Sequence, residues 1–127
     1  MAVCLDTTFL VDLLAGDAEA IAFAKALTEP AATSAVSFYE LLFGAAGRYR
    51  LARVEEFARD YAVLPADFDV CAMAASIQAR LGQAGRLIPV LDAIIAGTSV
   101  LAGVPLVTRD AHFRRVPSDF GLVIRSY

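Results

Sequence analysis

Four acidic residues, Asp6, Glu40, Asp92 and Asp110, lie at positions in the sequence where they can do chemistry. Asp6 directly follows a short apolar segment, and Asp110 comes shortly after another. Glu40 lies in the first turn of the helix predicted after a further apolar segment. In open parallel sheets, ligands bind beyond the carboxyl ends of the strands, so these three acids are expected at that edge. Asp92 lies at a predicted helix start that can face the same crevice.

Carboxylates that converge on one crevice repel each other. Two of them ~4 Å apart cost about 4 kcal/mol at an effective dielectric constant of ~20. Either some of them stay protonated, or a cation resolves the conflict. With oxygen ligands alone, and no thiol or imidazole expected nearby, a hard ion such as Mg²⁺ or Mn²⁺ is favoured. Such an ion lowers the pKa of a bound water and clamps a phosphate oxygen, which suffices for phosphodiester hydrolysis.

Each acid also has a purely structural explanation. Ser37 and Glu40 form a capping-box pattern, and Asp92 would interact favourably with a helix dipole. Asp6 and Asp110 can be caps or turn formers. The flanking sequence favours the functional interpretation, because Asp6 lies against apolar residues and Asp92 lies inside a core-like apolar run. A buried acid is costly unless it meets a cation.

Short apolar runs alternate with helical patterns along the chain. The predicted strands are 3–5, 31–36, 62–64, 105–107 and 121–124. The predicted helices follow a cap at Thr7 or Thr8, and then span 17–27, 37–47, 50–61, 69–81 with Asp69 as cap, and 89–101. This alternation predicts an α/β fold, in which a five-stranded parallel sheet is the middle of three α/β/α layers. Without a linker or repeat, one domain over 1–127 is expected.

Composition excludes several classes of protein. Hydrophobic residues make up 58% and charged residues 20% of the chain, which excludes a disordered tail. The net charge of −3 argues against a broad basic surface for nucleic acid. No apolar run reaches the ~20 residues of a membrane span, and no basic flank precedes the first apolar residues, so a cytoplasmic protein is expected. Cys4 and Cys71 are predicted to be buried reduced thiols, and His112, the single histidine, a surface or packing residue.

The four acids lie in ordered sequence blocks that resemble a known family. The blocks are LDTTFLVDLL at 5–14, SFYELLFG at 37–44, IPVLDAIIA at 88–96 and LVTRDAHF at 106–113. Together they resemble PIN domains, and most closely VapC-type toxin ribonucleases. The resemblance covers nearly the whole chain. It implies a five-stranded parallel sheet between helices and a Mg²⁺-dependent endoribonuclease, with Mn²⁺ as a possible substitute, held inactive by a co-expressed VapB-type antitoxin.

The resemblance also implies a role for each acid. Asp6 and Asp92 would be the nearest metal ligands, and Asp110 would hold the metal directly or through water. Glu40 would complete the acidic pocket and orient the attacking water. Cleavage would leave a 5′-phosphate and a 3′-hydroxyl.

Further residues beside the acids have open roles. Thr8 and Thr108 match polar positions of the family and could hydrogen-bond a ligand carboxylate or a metal-bound water. Arg109, Arg114 and Arg115 flank the last acid, where they could either position phosphate or form a solvated face.

Other functions stay open at this stage. The apolar excess suggests an exposed patch that a partner covers, either an antitoxin helix or a second copy in a homodimer. A binding or regulatory module without cleavage activity could use the same crevice to dock a partner's arginine. A non-toxin RNA-processing nuclease is another alternative. A phosphatase or nucleotide-binding enzyme is disfavoured, because no Gly-rich phosphate loop follows any predicted strand. The sequence leaves the RNA target open.

Overall fold

The computed structural model describes residues 2–45, 47 and 49–127. Within these residues, five strands form one parallel sheet in the order β3-β2-β1-β4-β5, and helical crossover connections join them. The strands are β1 (Val3–Leu5), β2 (Ala31–Ser34), β3 (Ala62–Leu64), β4 (Leu106–Val107) and β5 (Ile124–Arg125). The order places β1 at the centre, with β2 and β4 on either side of it. The predicted all-parallel sheet is confirmed.

Six α-helices within the described residues cover the sheet. They are α1 (Thr7–Ala15), α2 (Ala18–Ala26), α3 (Ala35–Ala45), α4 (Leu51–Ala58), α5 (Phe68–Gln83) and α6 (Val90–Ala102). Two short 3₁₀ helices, Ala111–Arg115 and Ser118–Phe120, lie between β4 and β5. Of the helices in the described part of the chain, none combines the length and the apolar character that crossing a bilayer requires.

Alternating side chains of the central strands divide the core into two halves. Val3 and Leu5 pack with buried residues of α1, α3 and α4 on one face of the sheet. Cys4, between them, packs with buried residues of α5 and α6 on the other face. Successive residues of a strand point to opposite faces of the sheet. The continuous apolar run of β1 therefore places apolar side chains in the core on both faces. The predicted three-layer α/β/α fold is therefore confirmed.

The close packing of α6 on α5 depends on a glycine. A Cβ atom added at Gly97 would lie 3.0 Å from the backbone nitrogen of Ala74 and from the carbonyl oxygen of Val70. Any larger residue would push the two helices apart. This packing fixes α6, and α6 in turn presents Asp92 in its first turn.

Several predicted boundaries of strands and helices are wrong. The second strand ends at Ser34, because α3 already begins at Ala35. The capping-box interpretation of Ser37 and Glu40 therefore fails, since Ser37 is the third residue of α3 rather than its N-cap, and Glu40 is the sixth. The last strand is Ile124–Arg125 rather than 121–124.

Two caps also differ from the prediction. Asp6, not Thr7 or Thr8, caps α1, and its side chain accepts a hydrogen bond from the Thr7 amide. Asp67, not Asp69, caps α5, because the carboxylate of Asp67 accepts from the Val70 amide.

The two cysteines differ in their surroundings. Cys4 is buried, and burial raises the pKa of its thiol to about 11, so it stays protonated. Cys71 is exposed, which corrects the prediction that both thiols are buried. Cys71 lies in the first half of α5. Its neighbours in the sequence are mostly apolar, but its side chain is on a face of the helix that is exposed to solvent.

Candidate metal centre

Asp6 is buried at the carboxyl edge of the sheet. It directly follows β1, its amide donates to the carbonyl of Val107 at 3.0 Å, and only 2% of the residue is exposed. Its Oδ1 accepts a hydrogen bond from the Thr7 amide at 2.8 Å. Its Oδ2 accepts from the hydroxyl of Thr108 at 2.7 Å. The first acid is thus held rigidly between the start of α1 and the end of β4.

The surroundings of Asp6 oppose its ionisation. Burial, together with the charges of Asp92 and Asp110, raises the pKa of its carboxyl from 3.8 to about 7, although the hydrogen bond from Thr108 partly offsets the rise. Removing a carboxylate from water is costly when no cation compensates it. Asp6 is therefore a group that a bound cation would stabilise in its charged form.

Thr108 joins Asp6 to Asp110. The Thr108 hydroxyl donates to Asp6 and accepts from the Asp110 amide at 3.0 Å. Asp110 then caps the 3₁₀ helix Ala111–Arg115, because its Oδ1 accepts from the His112 amide at 2.9 Å. The structural explanation of Asp110 as a cap is thus correct, and the same carboxylate also lies beside the other acids.

Asp92 meets Asp110 through the imidazole of His112. The His112 Nδ1 atom lies 3.1 Å from Asp92 Oδ2 and 3.3 Å from Asp110 Oδ1. Burial raises the pKa of Asp92, and so do the charges of Asp110 and Glu40, whereas the hydrogen bond from His112 lowers it. One ligand atom from each of Asp92, Asp110 and His112 lies within 4.8 Å of the other two, as in a metal site.

Glu40 reaches the other acids through Thr7. The Thr7 hydroxyl donates to Glu40 Oε1 at 2.8 Å and lies 3.0 Å from the hydroxyl oxygen of Ser37, which is buried. Because Thr7 is the first residue of α1, this contact ties α3 to the helix that Asp6 caps. The structure thus brings together all four predicted acids, Asp6, Glu40, Asp92 and Asp110, which are called the acidic cluster below.

A family model supplies the identification. The model described as PIN domain matches residues 3–119. The chain belongs to the PIN domain family. None of the curated proteins has a sequence that matches this chain significantly.

Solved structures of toxin–antitoxin complexes have the same fold as this PIN domain. A chain of DNA-bound VapBC from Salmonella typhimurium is 27% identical, with a TM-score of 0.84 over 99% of this chain and 98% of that one. VapBC2 from Rickettsia felis, bound to a promoter DNA fragment, is 18% identical, with a TM-score of 0.85 over 100% and 99%. VapBC-1 from nontypeable Haemophilus influenzae is 23% identical, with a TM-score of 0.82 over 99% and 98%. The resemblance to VapC-type PIN domains is confirmed.

Two residues of this PIN domain that contact the acidic cluster were not predicted to do so. Thr7, rather than Thr8, donates to Glu40, and Thr108, whose role the sequence left open, donates to Asp6. His112, expected to be a surface or packing residue, places its ring nitrogen between two acids. The sequence signals this contact only by the position of His112, two residues after Asp110. When an acid caps a 3₁₀ helix, its carboxylate lies beside the residue two positions later.

Arg109 in this PIN domain contacts a separate pair of acids. Its Nη2 lies 3.1 Å from Asp17 Oδ1 and 3.5 Å from Asp12 Oδ2, and its guanidinium lies 4.1 Å from the ring centroid of Tyr127. The Tyr127 hydroxyl donates to Asp12 Oδ2 at 2.6 Å. These four residues are called the arginine clamp below. Of the other two arginines that flank Asp110 in the sequence, Arg115 donates to the carbonyl of Leu87 at 3.1 Å, and Arg114 is exposed.

Proposed function

We propose that this PIN domain is a Mg²⁺-dependent endoribonuclease that acts as the toxin of a type II toxin–antitoxin pair. One observation supports the activity above the others. The four acids that the sequence separates by up to 104 positions lie together at the carboxyl edge of the sheet, and two of them have raised pKa values. That concentration of negative charge is costly without a cation.

The donors present fit a divalent ion. Carboxylate oxygens are the ligands that Mg²⁺ and Mn²⁺ prefer. The side chains of Asp92 and Asp110 are 15% and 29% exposed, so an ion there would also keep water ligands. We propose Asp6 and Asp92 as the nearest acids to the ion, with Asp110 binding it directly or through water.

A bound Mg²⁺ would supply a water of lowered pKa and a charge to stabilise the phosphate oxygens. The chain's own residues do the positioning. Thr108 fixes the orientation of Asp6 by donating to its Oδ2, and Thr7 fixes Glu40 by donating to its Oε1. Glu40 orients the attacking water. The oxygen of water bonds to phosphorus and the water gives up a proton to the solvent, while the bond from phosphorus to O3′ breaks and O3′ takes up a proton from the solvent.

The direct test of this activity is RNA cleavage by the purified chain. Incubation with RNA and Mg²⁺ should give fragments with 5′-phosphate ends, excess EDTA should stop the reaction, and added Mg²⁺ or Mn²⁺ should restore it. Boiled protein and a DNA of the same sequence serve as controls. Cleavage that continues in EDTA would refute the mechanism, and no cleavage at any divalent-ion concentration would favour a binding module.

The toxin role is supported by the VapBC complexes that have the same fold. We propose that a VapB-type antitoxin binds this chain, and that exposed apolar side chains contribute to its partner surfaces. Tyr39 and Phe43 on α3 stack 5.9 Å apart and are 61% and 72% exposed. Nearby, a groove of about 420 Å³ between α3, α4 and β3 is lined by Phe38, Leu42, Tyr61 and Val63, among others.

Induced expression tests the toxin role separately from cleavage. The wild-type chain should arrest bacterial growth, and co-expression of its cognate VapB-type antitoxin should relieve the arrest. A chain that cleaves RNA in vitro but never slows growth would instead be a non-toxin RNA-processing nuclease. We also propose a homodimer, which sedimentation analysis of the purified chain would test.

A further inference from the structure

The imidazole of His112 lies beside Asp92 and Asp110, two acids of the acidic cluster that could hold an ion. Its Nδ1 is 3.1 Å from Asp92 Oδ2 and 3.3 Å from Asp110 Oδ1. Around an octahedral ion with bonds of about 2.1 Å, neighbouring ligand atoms are about 3.0 Å apart. The observed separations are close to that value. The oxygens of Asp92 and Asp110 lie within 4.8 Å of each other, so movements of these side chains towards one another would place all three atoms around one ion.

The backbone keeps the imidazole in this place. The His112 amide donates to Asp110 Oδ1 at 2.9 Å, and the next residue, Phe113, is buried in the core. The 3₁₀ helix Ala111–Arg115 thus fixes the backbone that carries the ring. The His112 side chain is 40% exposed, so an ion bound to Nδ1 would also be reached by solvent and by a phosphate.

We propose that His112 binds the divalent ion directly through Nδ1, together with Asp92 and Asp110. This inference rests on the metal site proposed above, and it changes the chemistry of that site from oxygen ligands alone to oxygens plus one nitrogen. Imidazole nitrogen favours the later divalent ions of the first transition row, whereas Mg²⁺ gains little from it. The site should therefore bind Co²⁺ and Mn²⁺ more tightly than Mg²⁺, with Co²⁺ the tightest of the three.

The alternative is that His112 only hydrogen-bonds the two acids. In that case the ring competes with the ion for the same carboxylate oxygens, and removing it should strengthen the binding of all three ions alike. The two interpretations therefore predict opposite changes when His112 is replaced by a residue without a ring nitrogen.

Calorimetric titration of the full chain with each ion, without RNA, distinguishes these cases. For His112→Asn, we expect the Co²⁺ affinity to fall about tenfold or more and the Mg²⁺ affinity to change less than about threefold. Asp12→Asn is the matched control, because Asp12 is an acid of the arginine clamp, and its affinities should match those of the wild type. Equal gains for all three ions in His112→Asn would overturn the proposal.

Electron paramagnetic resonance of the Mn²⁺-loaded wild type gives a second readout that needs no variant. In ¹⁵N-labelled protein, a directly bound imidazole should give a ¹⁵N hyperfine coupling, and its absence would overturn the proposal even if His112→Asn did not fold. Should the ion bind without nitrogen coupling while RNA cleavage still requires Mg²⁺, only this inference fails. Should no divalent ion bind at all, the proposed function fails with it.

Discussion

The acidic cluster and the arginine clamp are two groups of carboxylates supplied by neighbouring parts of the chain. Thr108 and Asp110 contact the acidic cluster, while Arg109 between them contacts Asp12 and Asp17. Successive side chains of an extended segment point in opposite directions, so three consecutive residues serve two groups. Both groups include residues of α1 or its cap.

The difference between the two groups lies in their counter-charges. In the arginine clamp, hydrogen bonds from the Ala20 amide and from Arg109 lower the pKa of Asp17. In the acidic cluster, burial and neighbouring acids raise the pKa values of Asp6 and Asp92. The same residue type therefore stabilises the fold in one place and remains available to a cation in the other.

The sharpest test of this contrast exchanges one acid of each group for its amide. Asp92→Asn should lower Mg²⁺-dependent RNA cleavage by about 10²–10³-fold, because it removes a proposed ion ligand. Asp12→Asn should keep cleavage within about threefold of the wild type, since Asp12 belongs to the clamp. Initial rates at saturating Mg²⁺ measure both effects. Equal losses in the two variants would mean that the two groups do not act separately.

The pH dependence of stability should also differ between the acidic cluster and the arginine clamp, because the pKa of Asp6 is raised whereas that of Asp17 is lowered. The folded state holds a proton on Asp6 more tightly than the unfolded state, because its pKa is raised from 3.8 to about 7. In EDTA, the Asp6 contribution should therefore lower the free energy of unfolding as pH rises from about 4 to 7, by at most about 4 kcal/mol. Below about pH 4 the group is protonated in both states and contributes nothing to this slope.

Urea unfolding of the wild type and Asp6→Asn at several pH values measures that contribution. The variant should be more stable than the wild type at pH 7.5, and the difference should shrink towards pH 4. Added Mg²⁺ should stabilise the wild type at pH 7.5 and Asp6→Asn much less. A wild type that is more stable than the variant at pH 7.5 in EDTA would show that another group neutralises Asp6.

A smaller effect is expected when the link between two acids is removed. Thr108→Val keeps the shape of the side chain but removes the donor to Asp6 and the acceptor for the Asp110 amide. Cleavage should fall about 10- to 100-fold, as is typical when a residue orienting a metal ligand is lost. Thr108→Ser should restore most of the rate. Thr8→Val is the matched control, and a similar loss there would contradict the assignment of Thr7 and Thr108.

Much of the fold was predictable because the strands are short and fully buried. Val3–Leu5 and Leu106–Val107 appear in the sequence as continuous apolar runs, as expected of strands covered on both faces. The boundary of the second strand was not predictable from apolarity, because Ala35 and Val36 continue the apolar run although they are helical. There the Ser34 hydroxyl accepts from the Val36 amide at 3.3 Å and helps to turn the chain into α3.

The acids of the site were predictable, but their partners were not. Position at a strand end or a helix start is a local property, and it predicted that Asp6, Asp92 and Asp110 would lie near the crevice. Which threonine reaches Glu40 depends on the rotation of α1 against α3, a tertiary property that the sequence alone does not fix. The same holds for His112, because its contact with Asp92 joins the 3₁₀ helix to α6.

The smallest expected effect tests whether the clamp is only structural. Tyr127→Phe removes the hydroxyl that donates to Asp12, but it keeps the ring beside Phe9, 4.7 Å between centroids, and under the Arg109 guanidinium. The free energy of unfolding should fall by about 1 kcal/mol, the usual value of one hydrogen bond. Cleavage should stay unchanged within about twofold.

Thermal or urea unfolding, together with cleavage rates at the same pH, measures both quantities. Because Arg109 lies between Thr108 and Asp110, a loosened clamp could displace both of them. A drop in cleavage much larger than the drop in stability, with Mg²⁺ affinity also reduced, would mean that the clamp positions Asp110. The two carboxylate groups would then form one coupled unit, with Arg109 transmitting the state of the clamp to the acidic cluster.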